Sequence, residues 1–336
     1  MADLGSGRLV VTGGAGFIGS ALVWALNRRG IDDILIVDRL DETEKWKHMV
    51  PLRFADYIDA DDFMTHVLDG DDLGEVGTIL HLGACSSTTE TDSDYLMRNN
   101  FEYTKQLALW ACDNEVRFVY ASSAATYGGR ETDLSDRTEL HGLRPLNMYA
   151  YSKHLFDLYA ARTGLDQIVC GLKYFNVFGP NEDHKGSMRS LVNKAYDQIL
   201  NGGSVALFKS YRPEFADGEQ RRDFVYVKDA VDMTLFLAES DACGLFNVGS
   251  GRAQTWLELV RPIFAALEKP ERIEFVDMPD QLRSKYQYST CAEMESLRAA
   301  GYSKAPMSLA DAVTDYVRNY LIPGSSLDPA VDTAPI

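Results

Sequence analysis

The chain has 336 residues, 46% hydrophobic and 25% charged, which excludes wholesale disorder and a collagen-like repeat. Acidic residues outnumber basic ones 50 to 33, for a net charge of −17, so nucleic acid and anionic membranes are excluded as bulk partners. An anionic substrate would need local basic residues to hold it against that field.

Along the chain, Arg8-Leu-Val-Val-Thr12 is a short apolar run ending in glycines. Residues 17–29 follow with Ala21, Leu22, Ala25 and Leu26 at helical spacing, Gly30 stops the helix, and Ile34-Leu-Ile-Val37 is the next apolar run. This is strand–helix–strand with the continuous hydrophobicity of a parallel sheet. Strands are predicted at 78–82, 117–121 and 167–173, and helices at 93–113 and 147–163. Residues 176–220 break the rhythm with Gly, Pro, Asn and charge, around one helix at 188–201. A strand at 222–227, a helix at 228–240 and a strand at 244–248 restore it and are expected to return to the main sheet. A helix at 254–268, a strand at 273–276 and a final amphipathic helix at 308–320 complete the order. Residues 321–336 hold three prolines and a Gly-Ser-Ser and are expected to fray.

The five cysteines (Cys85, Cys112, Cys170, Cys243, Cys291) are odd in number and form no CxxC pair. They read as free thiols of a reducing cytosol rather than a disulfide framework or zinc site. The opening Met1-Ala-Asp-Leu-Gly-Ser-Gly-Arg8 has no basic and no apolar leader segment, and no run of 18 apolar residues exists. A cytoplasmic protein without a membrane segment is therefore expected, and the six histidines show no metal-ligand spacing.

Three patterns carry chemistry. Gly13-x-x-Gly16-x-x-Gly19 joins the first strand to the first helix, with Asp38 at the end of the second strand. Glycines let a pyrophosphate approach the backbone, and the helix N-terminus supplies free N–H groups. Asp38 suits an adenosine ribose and favours NAD, whereas Arg39 and Lys45 could hold a 2′-phosphate and favour NADP; both remain open on this reading. Tyr149 and Lys153 stand four apart on one helix face. Ser123 ends a predicted strand, at the sheet edge where open α/β folds bind ligands. Half-ionising Tyr149 near pH 7 requires a drop of about 3 pH units, or ~4 kcal/mol. One cation at about 4 Å supplies roughly that at an effective dielectric of 20, so Lys153, with an oxidised nicotinamide, is expected to do it. Arg222, within Arg222-Asp-Phe-Val-Tyr-Val-Lys-Asp229, suits a diphosphate because its fork donates bidentately. Ala124-Ala125 follow Ser123, so no carboxylic acid stands directly after the serine.

The glycine spacing, His81-Leu-Gly-Ala-Cys85, Asn99-Asn100 and Tyr174-Phe-Asn-Val-Phe-Gly-Pro180 resemble the extended short-chain dehydrogenase/reductases. Four longer strings narrow the match: Gly83-Ala-Cys-Ser-Ser-Thr-Thr-Glu90, Ala121-Ser-Ser-Ala-Ala-Thr-Tyr-Gly-Gly-Arg130, His184-Lys-Gly-Ser-Met188 and Leu297-Arg-Ala-Ala-Gly-Tyr302. Together, from about residue 9 to 320, they resemble the ADP-L-glycero-D-manno-heptose 6-epimerase family, whose product supplies heptose for the lipopolysaccharide inner core. The resemblance implies an α/β fold: a Rossmann-like doubly wound parallel sheet (1–175 plus about 222–250) with a smaller C-terminal α/β substrate lobe (about 176–221 plus 251–322). Residues 323–336 would form the frayed tail.

The resemblance also implies NADP, with Lys45 at the 2′-phosphate position. It places Phe17, Ile18, Leu82, Gly83, Ala84, Cys85, Ser86, Asn99 and Val177 beside the glycines, Asp38 and Arg39 on the cofactor. It makes Tyr149 and Lys185 the two acid/base groups, supported by Lys153 and Ser123, with Lys153 and Lys185 also touching cofactor. Asn176, Ser187, Arg222 and Tyr286 fall on substrate-contact positions. Lys194 replaces a family histidine there, and adenine contacts fall near Phe208, Lys209, Ser210 and Tyr211 in a loop longer and more charged than the family pattern. An ADP-activated heptose and further copies of the chain are the implied partners. Two rivals share parts of this pattern. A UDP-hexose 4-epimerase shares the motifs before Asn176 but not the His184–Met188 string. A non-enzymatic cofactor sensor tends to lose the Tyr/Lys pair that this chain keeps.

Overall fold

The computed structural model describes residues 4–283 and 286–332. In chain order its elements are β1 (Arg8–Thr12), α1 (Phe17–Arg28), β2 (Ile34–Asp38), β3 (Asp56–Asp59), α2 (Ala60–Asp69), β4 (Val76–His81), α3 (Ser93–Leu96), α4 (Tyr103–Asp113), β5 (Arg117–Ser123), α5 (Met148–Thr163), β6 (Cys170–Tyr174), β7 (Asn176–Phe178), α6 (Leu191–Gly202), β8 (Val205–Phe208), β9 (Arg221–Tyr226), α7 (Val227–Glu239), β10 (Gly244–Val248), β11 (Ala253–Thr255), α8 (Trp256–Ala266), β12 (Ile273–Val276), α9 (Asp280–Arg283), α10 (Glu295–Ala299) and α11 (Leu309–Tyr316).

Seven strands form a wholly parallel sheet in the order β10-β6-β5-β4-β1-β2-β3. The order reverses between β1 and β4, which is the switch point of a Rossmann-like doubly wound fold. Leu9, Val10, Val11, Ile36, Ile79, Leu80, Val119 and Leu172 are buried because helices cover both faces. Trp24 of α1 and Val231 of α7 belong to one hydrophobic cluster, and Phe63 of α2, Leu107 of α4 and Phe156 of α5 to the other.

The predicted 93–113 helix is continuous but not uniform. α3 and α4 are joined by a π-helical stretch, Met97–Glu102, in which Asn99, Asn100 and Phe101 are all buried.

Two expectations are corrected. β9 does not return to the main sheet; only β10 does, beside β6. β9 pairs in parallel with β7 and antiparallel with β11 in a separate three-stranded sheet, so it carries Arg222 away from the sheet core. β12 pairs with β8 in a third, two-stranded sheet. The chain beyond Leu321 does not fray over 323–332: Leu327 is fully buried and Tyr320 Oη donates to Asp332. The physical reason is an apolar anchor inside a polar, proline-bearing segment. Residues 333–336 lie outside the described residues.

Candidate functional site

The carboxyl ends of β1, β2, β4 and β5 open onto a cleft of about 480 Å³. Its floor is the turn after β1. Gly13 has φ +69, and a Cβ there would stand 2.8 Å from the Gly83 nitrogen. A Cβ on Gly19 would stand 2.0 Å from the Gly13 carbonyl oxygen, so the helix can seat this close to the turn only with glycine. α1 starts at Gly16 with no side-chain cap and no acidic residue in its first turn. Its first N–H groups and partial positive charge are left for an anion.

A hydrogen-bonded chain braces the turn. Gly83 N–H donates to Thr12 Oγ1 (3.0 Å), which lies 2.7 Å from His81 Nδ1, and His81 Nε2 lies 2.9 Å from Thr104 Oγ1. Because Thr104 donates to the Asn100 carbonyl (2.7 Å), the consistent assignment puts the proton on Nε2 and lets Thr12 donate to Nδ1. Burial pushes His81 down to about 3, so the imidazole is neutral.

At the end of β2, Asp38 accepts from the Ala15 N–H at 2.9 Å and pairs with Lys45 at 2.8 Å. Arg39 bridges Asp61, at 3.1 Å through Nε, and Asn99. A second, smaller cavity of about 110 Å³ is lined by Asp38, Arg39, Lys45, Ala84, Cys85 and Asn99 among others. Asn100 rather than Asn99 does the bracing: its side chain accepts from Cys85 N–H (2.9 Å) and donates to Cys85 O and Ser152 Oγ, both at 3.0 Å.

α5 is started by Asn147, whose side chain accepts from Ala150 N–H at 2.8 Å, so Tyr149 sits in the first turn and Lys153 one turn on. Tyr149 is hydrogen bonded to Ser123; the competing Tyr151 faces out, 44% exposed. Burial pushes Tyr149 above its ordinary value despite the downward pull of Ser123. Lys153 does not lower Tyr149 here as the sequence arithmetic expects. Its ammonium donates to the Ala121 carbonyl at 2.9 Å, and burial takes the lysine itself down to about 8, against the upward pull of Asp157.

The loop after β7 brings Lys185 into the same cleft, with its ammonium 5.4 Å from the Phe17 ring centroid. Burial lowers Lys185, opposed by Glu182. Arg222 enters from β9, stacked 4.9 Å over Tyr286 and 5.7 Å over Trp256. Among the described residues lining the cleft, Lys45, Lys153, Lys185 and Arg222 face a single acidic one, Asp38. A chain of strongly negative net charge thus keeps a cationic cleft.

Asn176, Val177 and Lys185 also line an adjoining cavity of about 440 Å³, together with Lys194, Phe208 and Tyr286. Ser187 is exposed, and its carbonyl accepts from Lys194 at 3.4 Å. Lys209, Ser210 and Tyr211 form a rim tied to other partners. Lys209 and Tyr211 hold Asp277 (3.3 and 2.9 Å), and Ser210 N–H donates to Asp217 at 2.7 Å. Sequence reasoning missed Met188, Thr88, Gln287 and Thr290, which line the main cleft, and Trp256, which lines the adjoining one. Met188 and Thr88 lie inside strings that carry the resemblance without being singled out, whereas Gln287, Thr290 and Trp256 lie in no such string and only the fold brings them there. No group of His, Cys, Asp and Glu among the described residues is arranged to hold a metal ion, and no described helix is long and apolar enough to cross a membrane.

Comparison with known proteins agrees with this geometry. The family described as "NAD dependent epimerase/dehydratase family" matches residues 9–249. ADP-L-glycero-D-manno-heptose-6-epimerase of Nitratidesulfovibrio vulgaris is 51% identical over 314 residues, 93% of this chain and 97% of that protein. The protein of that name from Fusobacterium nucleatum is 45% identical, covering 93% of this chain and 98% of its own. The crystal structure of Helicobacter pylori ADP-L-glycero-D-manno-heptose-6-epimerase superposes with a TM-score of 0.80 at 25% identity, covering 95% of this chain and 98% of that one. The chain belongs to the NAD dependent epimerase/dehydratase family and, within it, to the ADP-L-glycero-D-manno-heptose-6-epimerases.

Proposed function

We propose that the enzyme interconverts ADP-D-glycero-D-manno-heptose and ADP-L-glycero-D-manno-heptose through a transient 6-ketone, with enzyme-bound NADP. The observation that carries the chemistry is the pairing in one cleft of two proton-transfer groups, Tyr149 and Lys185, held on different elements.

Carbon 6 of a heptose is not acidic, so oxidation to a planar ketone is the accessible route to inversion. The residues fit a nicotinamide cofactor: the close approach enforced at Gly13 and Gly19 matches a pyrophosphate on α1, and Lys45 and Arg39 supply cations beside Asp38 for a 2′-phosphate. That pairing supports NADP over NAD, because a free carboxylate would repel the phosphate. When bound, the nicotinamide supplies reversible hydride transfer.

The chain's own residues divide the proton work. Tyr149, held protonated by burial, donates to the ketone oxygen while Ser123 orients it. Lys185, lowered by burial, is the better base toward the C6 hydroxyl of the other epimer. Two groups pushed apart in this way take opposite roles, and the roles exchange in the reverse direction. Arg222, clamped between Tyr286 and Trp256, suits the diphosphate of the substrate.

The test is direct turnover. Purified enzyme without added cofactor is incubated with ADP-D-glycero-D-manno-heptose, and C6 configuration is followed by NMR. Conversion to a mixture of epimers supports the reading, and mass analysis of the nucleotide released on denaturation distinguishes NADP from NAD. No conversion, even after adding NADP⁺ and then NAD⁺, sinks the substrate assignment.

A further inference from the structure

The segment that carries Lys185 is pinned at both ends, and one pin comes from the far end of the chain. Asn181 opens the segment. It is 1% exposed and has φ +73, a left-handed conformation that a non-glycine residue holds only when its surroundings fix it. Its side-chain amide donates to Ser20 Oγ of α1 at 2.9 Å, and its side-chain oxygen accepts from the Leu327 N–H at 3.1 Å. The other end is closed by Glu182, whose buried carboxylate accepts from Ser190 N–H and Oγ (2.5 and 2.6 Å). Lys185 N–H donates to the Glu182 carbonyl at 3.0 Å.

Leu327 is itself held. Its side chain is wholly buried within the main hydrophobic cluster. The flanking chain is tied back on both sides: Ser325 N–H donates to Tyr320 O (3.0 Å), Asp328 N–H to Asp332 (3.0 Å), and Tyr320 Oη to Asp332 (2.6 Å).

We infer that residues 323–332 form a strap whose Leu327 anchor, acting through Asn181, positions Lys185 in the cleft. Leu327 and Asn181 are positioning residues, since neither lines the cleft. The strap joins three things that the reaction must keep in register: the N-terminal turn of the phosphate-binding helix through Ser20, the loop of the second proton-transfer group, and the end of the chain. The inference rests on the assignment of Lys185 as an acid/base group.

The experiment is a double-mutant cycle on the holoenzyme. One arm ends the chain after Ile322; a second carries Leu327→Ala in the full chain, with Leu327→Met as the conservative control. Each is combined with Lys185→Ala, and all are assayed on ADP-D-glycero-D-manno-heptose at high enzyme concentration. Truncation and Leu327→Ala are expected to lower kcat about tenfold or more with KM changed less than about threefold. Bound nucleotide is retained, and Leu327→Met restores most of the loss. In the Lys185→Ala background the same changes should cost less than about twofold, because the group they position is gone. An equal loss in both backgrounds, or a loss confined to KM, overturns the strap as a positioning device. Near-normal turnover of Lys185→Ala alone overturns the acid/base assignment, and the strap's catalytic role with it. If the truncated chain fails to fold, the Leu327→Ala arm decides.

Discussion

Asp157 and Lys173 form an ion pair at 2.8 Å with exposures of 0% and 1%, and it braces α5 against β6. Asp157 also accepts from Tyr120 Oη (3.0 Å) and Ser122 Oγ (2.8 Å) of β5, one turn beyond Lys153. At 2.8 Å and an effective dielectric of 20 the attraction is about 6 kcal/mol, and desolvation offsets most of it at several kcal/mol per ion. The pair as a whole is therefore worth little net, but breaking it from one side is not. Lys173→Met leaves a buried carboxylate without its cation, which costs about 3–5 kcal/mol. The two hydroxyl donors remain, so we expect the lower end, about 3 kcal/mol. Asp157→Asn combined with Lys173→Met removes the orphaned charge and keeps one acceptor oxygen, while the Asn amide donates to the second hydroxyl oxygen once that hydroxyl rotates, and should cost about 1–2 kcal/mol. Urea unfolding of each variant, followed by far-UV circular dichroism and extrapolated to water, measures both values. A Lys173→Met cost below about 1 kcal/mol, or a double variant no more stable than the single one, would refute the reasoning.

Other expectations concern the cleft. Tyr149→Phe keeps the ring but removes the proton, and turnover should fall by about 10²–10⁴ with nucleotide still bound, read by NMR and by absorbance of the released cofactor. Lys45→Met removes the cation beside Asp38; NADP affinity should weaken about tenfold or more while NAD affinity holds or improves, measured by calorimetry on stripped protein. Burial takes Lys153 from the ordinary lysine value of 10.5 to about 8, so between these pH values the unfolded chain binds more protons than the folded one. Stability of the stripped protein should therefore rise with pH across that window, by about 3 kcal/mol in total from this residue. The full cost is present below pH 8, and Lys153→Met should flatten the rise in a pH series of urea titrations.

The legible parts of the sequence were those whose chemistry is local. Gly13, Gly16 and Gly19 follow a strand and open a helix, and Tyr149 and Lys153 share a helix face; both patterns lie within one or two turns of chain. β3 escaped notice because Asp56-Tyr-Ile-Asp59 is a short edge strand without an apolar run. β9 reads like any buried strand, and nothing within Arg221–Tyr226 tells which sheet it joins; that depends on β7, more than forty residues earlier. The Asp157–Lys173 pair joins two elements, and no local pattern in the sequence links the two residues. Residues 321–336 read as a fraying tail because they are polar and proline-rich, whereas a single buried apolar side chain, Leu327, seats the segment.

The π-helical stretch between α3 and α4 has a consequence for how this protein can vary. An ordinary helix turns about 100° per residue, which fixes the angle between neighbouring side chains. The widened turn at Met97–Glu102 lets Asn99 meet Arg39 beside the smaller cavity while Asn100 clasps the loop at Cys85. A widened turn of this kind is equivalent to one inserted residue. Deleting one residue here would restore a regular helix with α3 and α4 still seated, and would change only how the Asn99–Asn100 pair is presented. In comparing family members, a one-residue gap inside this helix would mark a changed cofactor pocket, although no loop length had altered.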